Sequence, residues 1–387
     1  MIQTHARNAS LQDTIELLTA QNAAKLDIVV PATKMFMRHG TLVVKGAEAE
    51  ITEDGVTQVD GEYRPTKVFN DGVAQKLGIP TKFLTTVYED RSDIYDTLVN
   101  GFLHGSRPFK AADGTITKEY PADERNFLVR LFRGEDGIAR AFLSDKYDLS
   151  MDNFDVLLAL LDGLREAGID NAQVKADVSE RRMAVRVNVP ELLVHAPESL
   201  ISRYHDPRSG NAAIDNPGVS AGLLIGNSET GGGAYTILPY MTLLICTNGM
   251  TMTQDILRSV HLGGRLDQGV INWGADTQAK AVDLVKLKTR DAVTTFLNEE
   301  YMTKTLAVIA GKAAKPVDDA VKTIETISKK LAYSQEDAAG ILQHFIKGGQ
   351  ADAGGIFHAI TSYVQDVADA DKAYDMELSA IKALDLV

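Results

Sequence analysis

Residues 126–143 read NFLVRLFRGEDGIARAFL. Apolar residues alternate with polar or basic ones up to Arg133, GEDG supplies a turn, and IARAFL returns from Ile138. A period of two marks a strand with one face turned to a core. Two such runs around a glycine-containing turn read as a β-hairpin. On one face of the first strand Arg130 shares its side with Leu128 and Phe132, while Arg133 joins Val129 and Leu131.

Working outward, the pattern switches to a helical period at MDNFDVLLALLDGLREA, 151–167. A second hairpin is expected from 173–178 and 181–189, around SER. Its second strand, RRMAVRVNV, puts Arg182, Ala184, Arg186 and Asn188 on one face and Met183, Val185, Val187 and Val189 on the other. Further strands are expected at 219–227 and 234–238, and a helix at about 252–261. Upstream, the chain reads as a helix, LQDTIELLTAQNAA, then KLDIVVP ending at Pro31, then glycine-punctuated strands. Helices over 66–77 and 80–100 and a loop at 107–124 complete that part. Downstream, helical patterns cover 276–308, 315–331, 334–347 and 356–383, with Ser334 placed as an N-cap. The whole is an α+β fold: antiparallel β-hairpins with packed helices in the core, followed by a helical C-terminal region. It divides into 1–124, 125–274 and 275–387.

Composition narrows the function. The 387 residues carry 40 Lys and Arg against 53 Asp and Glu, a net charge of −13. Residues 1–124, 125–270 and the remainder each hold more acids than bases, so a generic electrostatic DNA binder is disfavoured and only a local basic groove fits. No apolar run is long enough for a membrane span, and the N-terminus lacks a signal core. The single cysteine, Cys246, excludes an internal disulfide and fits a reducing cytoplasm; its apolar setting, LLICTNG, reads as a buried thiol.

The segment NSETGGGAYTILPYMTLLICTNGM, 227–250, raises the question of a site. It has no lysine for a Walker loop, and a strand rather than a helix follows its glycines. It reads as a strand–turn–strand corner, with Asn227, Glu229, Gly231 and Asn248 as a candidate ligand turn. Glu229 is a candidate base or metal ligand, or else a solvated or capping carboxylate. No histidine spacing suggests a metal, no cofactor is implied, and no nucleophile–base pair stands out. The arginine-bearing strands offer Arg130, Arg140, Lys175, Arg182 and Arg186 to phosphates, with Lys146 and Tyr147 after the first hairpin. The same pattern describes any half-exposed sheet, and Arg140 with Asp145 describes a closed hairpin.

Several short motifs occur in a familiar order: LGIPTKFL, ERNFLVRLF, RAFLSDKY, NSETGGGA and CTNG. Over roughly residues 10–270 they resemble the phage and plasmid proteins grouped under a domain of unknown function (DUF932-type). The resemblance implies a mobile-element protein of a bacterial cytoplasm and carries no known activity. The order of hairpin, helix and further strands is also similar to phage single-strand annealing recombinases. The leading expectation is an oligomeric protein that binds or anneals single-stranded DNA, its lysines and arginines on phosphates and Tyr147 stacked on a base. The alternatives are an oligomeric structural or host-interaction protein, and a nucleotide- or metal-dependent enzyme centred on 227–248.

Overall fold

A computed structural model describes residues 2–387 apart from 48–49, 53–54, 58, 109, 111, 117, 135–136, 149–150, 246–247, 252–256, 260–268 and 271–274. Two seven-stranded sheets carry an α+β fold. The first, the long sheet, orders Ala6–Ser10, Gln173–Val178, Met183–His195, Gly218–Asn227, Tyr235–Leu243 and Asn248–Thr251, with Leu257–Ser259 also against Tyr235–Leu243. Its described pairings are antiparallel. The second, the hairpin sheet, orders Gly269–Val270, Lys25–Pro31, Asn126–Phe132, Ile138–Ser144, Gly61–Pro65, Thr41–Val44 and Met35–Arg38. It is mixed, because Gly61–Pro65 runs parallel to Ile138–Ser144. The three sequence regions interleave: the first contributes strands to both sheets, and Gly269–Val270 returns to pair with Lys25–Pro31.

Local signals place many boundaries. Thr66 accepts the N–H of Phe69 and starts the helix Lys67–Leu77, and Gly78 ends it at φ 71°. Ser334 and Asp337 form a capping box on Gln335–Gly348. Asn298 caps Glu299–Ala313 and so breaks the run expected over 276–308. Asp369 caps Ala370–Ala380 and breaks the run expected over 356–383. Where a helix was expected at 252–261, Leu257–Ser259 is a strand; most of that stretch, like Cys246, lies outside the described residues.

Packing corrects one expectation about the long sheet. Its apolar face, with Met183, Val185, Val187, Ile225 and Ile237, is covered by Leu11–Ala24, Asn153–Glu166 and Ala275–Phe296, as alternation suggests. The opposite face is not half-exposed. Ala184, Leu224, Leu238 and Tyr240 pack against Tyr374 of Ala370–Ala380. Farther along the first face, Val219, Ala221, Met241 and Met250 join the core of the C-terminal helices. A period of two locates two faces, but the element that covers the second comes from the far end of the chain. The hairpin sheet packs against Lys67–Leu77, Thr81–Asp90 and Ser92–His104. Among the described residues no helix is long and apolar enough to cross a membrane.

Candidate functional site

Register decides where the first arginines go. Arg130 lies across from Asp27 on one neighbour and Ala141 on the other. The register then shifts, so that Leu131 pairs with Ala139 and Arg140 is the extra residue. A β-bulge re-aims the side chain it carries. Arg140 thus joins Arg130, and both guanidinium groups meet Glu229 of the glycine turn. Arg130 donates from Nε and Nη2 to the Asp27 carboxylate at 2.7 and 2.8 Å, and from Nη1 to the Glu229 carbonyl at 3.1 Å. Asp152 stands 2.8 Å from Arg130 Nη2 and also pairs with Lys25. Glu229 accepts from Arg140 and from the backbone N–H of Asn153, so it caps Asn153–Glu166.

All of these side chains except Lys25 are buried. Burial works against the charge of Arg130, but Asp152, Asp27 and Glu229 hold its pKa well above the ordinary value. Burial likewise works to raise Glu229, and Arg140 and Arg130 pull it down to about 2. A carboxylate with that little proton affinity, enclosed by two guanidinium groups, is unsuited to general-base work. Of the two roles read for Glu229, the capping one is seen in the fold. Among the described residues no group of three His, Cys, Asp or Glu could hold a metal ion.

The glycine turn turns its polar atoms inward. Ser228 Oγ donates to the Arg181 carbonyl at 2.6 Å and accepts from the N–H of Gly232 at 2.8 Å. Thr230 Oγ1 donates to the same carbonyl at 2.9 Å, and Tyr147 Oη donates to the Ser228 carbonyl at 2.7 Å. Gly231 takes φ 82°, and a Cβ on Gly232 would lie 2.3 Å from Arg181 Cγ. Close packing therefore calls for these glycines. Asn227 Nδ2 donates to Met151 O and Asn153 Oδ1, both at 2.9 Å. Asn248 pairs with Leu243, at the other end of Tyr235–Leu243, roughly 25 Å from the turn. The four residues read as one ligand turn are thus not brought together.

The second pair of arginines is also enclosed. Arg186 donates from Nη2 to Glu377 at 2.7 Å and from Nη1 to Asp177 at 2.7 Å. Arg182 donates to Asp375 at 2.8 Å, has Nε 3.0 Å from Asp371, and lies over the Tyr374 ring at 5.0 Å. Of the seven residues read as a nucleic-acid groove, Arg130, Arg140 and Tyr147 gather at the glycine turn. Arg182 and Arg186 gather under Ala370–Ala380, and Lys146 and Lys175 are exposed. Three of the seven, Arg130, Arg140 and Arg186, are buried in ion pairs. The expectation of one shared basic surface is corrected on that geometry.

What the fold does bring together is a pair of clefts. Arg181 forms an ion pair with Asp71 of Lys67–Leu77. One cavity of about 510 Å³ lies against that helix and the glycine turn, lined by Asp71, Gln75, Lys76, Thr230 and Gly231. Another of about 540 Å³ shares Arg181 and Val68 with it and opens toward the C-terminal helices. Glu180, Asp337, Asp369, Asp371 and Asp375 line the second, against His5, Lys67, Arg181 and Lys372. Asp337 is held by Lys372 at 2.5 Å, while Asp369 and Asp375 are exposed. Burial raises the pKa of Asp371, though Ser179 and Arg182 oppose it. Sequence reading missed this cleft because its residues come from distant stretches; the one local signal was the charged turn beside Arg181.

One constellation has the spacing of a hydrolase triad. Ser362 Oγ lies 2.9 Å from His344 Nδ1, and Asp366 lies 3.0 Å from His344 Nε2. Arg208 donates to Ser362 Oγ at 3.1 Å. Yet Ser362 is 0% exposed within the helix Ala353–Val364, so no substrate reaches its hydroxyl. The group fastens Gln335–Gly348 and the Arg208 loop to Ala353–Val364. No protein-family model, curated protein or solved structure matches this chain.

Proposed function

We propose that the chain is an interaction protein that takes a basic segment of a protein partner in the acidic cleft beside Ala370–Ala380. The observation that carries this is the cleft of about 540 Å³, where Glu180, Asp337, Asp369, Asp371 and Asp375 outnumber Lys67, Arg181 and Lys372, and still exceed the bases by one when Arg182, paired with Asp371 and Asp375, is counted. The exposed carboxylate of Asp369, and that of Asp375, which stays 63% exposed in its pair with Arg182, attract cations and repel phosphates, and the net charge of −13 acts in the same direction at longer range. The resemblance to mobile-element proteins supports a setting in a bacterial cytoplasm and a host protein as the partner. The single-strand reading is weakened, because Arg130, Arg140 and Arg186 are spent on internal carboxylates.

Fluorescence polarisation tests this with three labelled probes: a Lys/Arg-rich peptide, a Glu-rich peptide of equal length and a single-stranded oligonucleotide. Particle mass is recorded in parallel to follow self-association. The basic peptide is expected to bind alone, more weakly as salt rises. Asp369→Asn with Asp375→Asn lowers its affinity about fivefold, in line with exposed charge pairs. Asparagine keeps the N-cap at 369 and an amide oxygen for Arg182 at 375, so the variant removes charge while retaining those acceptors. Binding of the oligonucleotide without the basic peptide would overturn the reading and restore the nucleic-acid one.

A further inference from the structure

A second cavity adjoins the acidic cleft across Tyr333. It measures about 480 Å³ and lies between the helices Ala320–Lys330 and Gln335–Gly348. Tyr333 lines both it and the acidic cleft, so the two form one continuous surface around the turn between those helices. The character changes across that ridge. Val321, Ile324, Ala338, Ala339 and Leu342 make the second cavity mainly apolar, with one acid, Glu325, and one base, Lys329, in its lining. Val321 is 51% exposed there.

Two further observations point to an occupant. Ser328 lines the groove, is 3% exposed, and its hydroxyl has no hydrogen-bond partner among the described residues. A buried hydroxyl left unpaired costs stability that a partner's polar group would recover. The groove also has a defined length. From Val321 to Lys329 the helix advances about 12 Å, the length of two helical turns. Two turns of a helix present apolar residues at i, i+4 and i+7 along one stripe, the standard helix-in-groove arrangement.

Resting on the reading of the acidic cleft, we infer that the partner segment is a basic amphipathic helix. Its apolar stripe fills the groove between Ala320–Lys330 and Gln335–Gly348, and its basic face crosses Tyr333 toward Asp369 and Asp375. Charge complementarity on one side of the ridge and apolar complementarity on the other select one occupant. A purely basic strand leaves the groove empty, and a purely apolar ligand gains nothing from the acids. The Ser328 hydroxyl has almost no accessible surface, so a polar group of the helix reaches it only by spreading Ala320–Lys330 from Gln335–Gly348.

The test uses the full chain and two labelled peptides of equal length and charge. One is basic and otherwise Gly/Ser-rich; the other is basic with leucines at i, i+4 and i+7. The amphipathic peptide is expected to bind at least about tenfold more tightly, the effect of burying one or two leucines. Ala339→Trp, at an exposed position, fills the groove and is expected to remove that gain while leaving the plain basic peptide unaffected. Ser328→Ala removes only the hydroxyl and lowers the amphipathic peptide's affinity about threefold. Equal affinities for the two peptides, or a gain that survives Ala339→Trp, would overturn the inference and leave the acidic-cleft reading standing. If neither peptide binds, the cleft reading itself fails and this inference goes with it.

Discussion

The two arginine-bearing hairpins look alike in sequence and are neutralised in different ways. In Asn126–Phe132 with Ile138–Ser144, the counter-charges are close at hand: Asp27 is on the adjacent strand, and Glu229 is on a turn that the bulge at Arg140 faces. In Gln173–Val178 with Met183–His195, Asp177 is local, but Glu377, Asp371 and Asp375 arrive on a helix near the C-terminus. An alternating strand with arginines on one side is therefore no evidence of a solvated, phosphate-ready surface. In a chain with 53 acids, the first question is which carboxylate covers each guanidinium.

The comparison predicts unequal effects, and the largest belongs to the first hairpin. Removing Arg130 strands Asp27 and leaves Asp152 with only Lys25, and Glu229 with only Arg140, as cationic partners in a buried site. Arg130→Leu is expected to lower stability by about 3–5 kcal/mol, measured by urea unfolding. Arg186→Leu strands Glu377, leaves Asp177 with Arg7 as its cationic partner, and belongs in the same range. Adding Glu377→Gln to Arg186→Leu is expected to recover part of the loss, because it removes one uncompensated charge. A loss under about 1 kcal/mol for Arg130→Leu would show that the network is hydrated and that the hairpins differ less than their geometry says.

Acid separates the two halves of the molecule along a different axis. His358 is buried among the C-terminal helices, stacked on Tyr204 at 4.3 Å, and burial depresses its pKa to about 4. The unfolded chain then binds the proton first, so stability is unaffected above about pH 6.5 and falls as pH drops from there to 4. The total is on the order of 3 kcal/mol. Glu229 has its folded pKa depressed to about 2, so its contribution is present above the ordinary carboxylate range and is lost as pH falls from about 4.5 to 2. Unfolding free energies across pH 3–8 are expected to decline in two stages, the helical region first. His358→Phe is expected to remove most of the upper stage, the rest belonging to His344, whose pKa burial also lowers; an unchanged slope between pH 6.5 and 4 would assign it to other groups.

How much of this was legible depends on the range of each interaction. The hairpin at 126–143, the cap at Ser334 and the stop at Gly78 rest on residues a few positions apart, and periodicity and capping chemistry read them directly. The bulge at Arg140 was not legible, since two residues on one face break the alternation that defined the strand. The second cover of the long sheet was not legible either. Tyr374 and Glu377 belong to a helix whose sequence pattern does not say which surface it meets. The acidic cleft combines both difficulties, because His5, Lys67, Arg181 and Asp371 have no spacing in common.

The smallest predicted effect tests whether the outer layer of the second hairpin is as firmly held as its centre. Arg182 lies between Asp371 and Asp375 and over the Tyr374 ring, but the Asp375 side chain is 63% exposed. Solvent screens such a pair, so Arg182→Ala is expected to cost only about 1 kcal/mol, shared between the ion pairs and the ring contact. Half-molar salt is expected to shrink the difference between Arg182→Ala and the parent chain, whereas the loss from Arg186→Leu persists because its partners are buried. Equal salt responses would mean that Ala370–Ala380 lifts off the sheet as a unit. The two arginines would then stand exposed together, as their alternation in sequence first suggested.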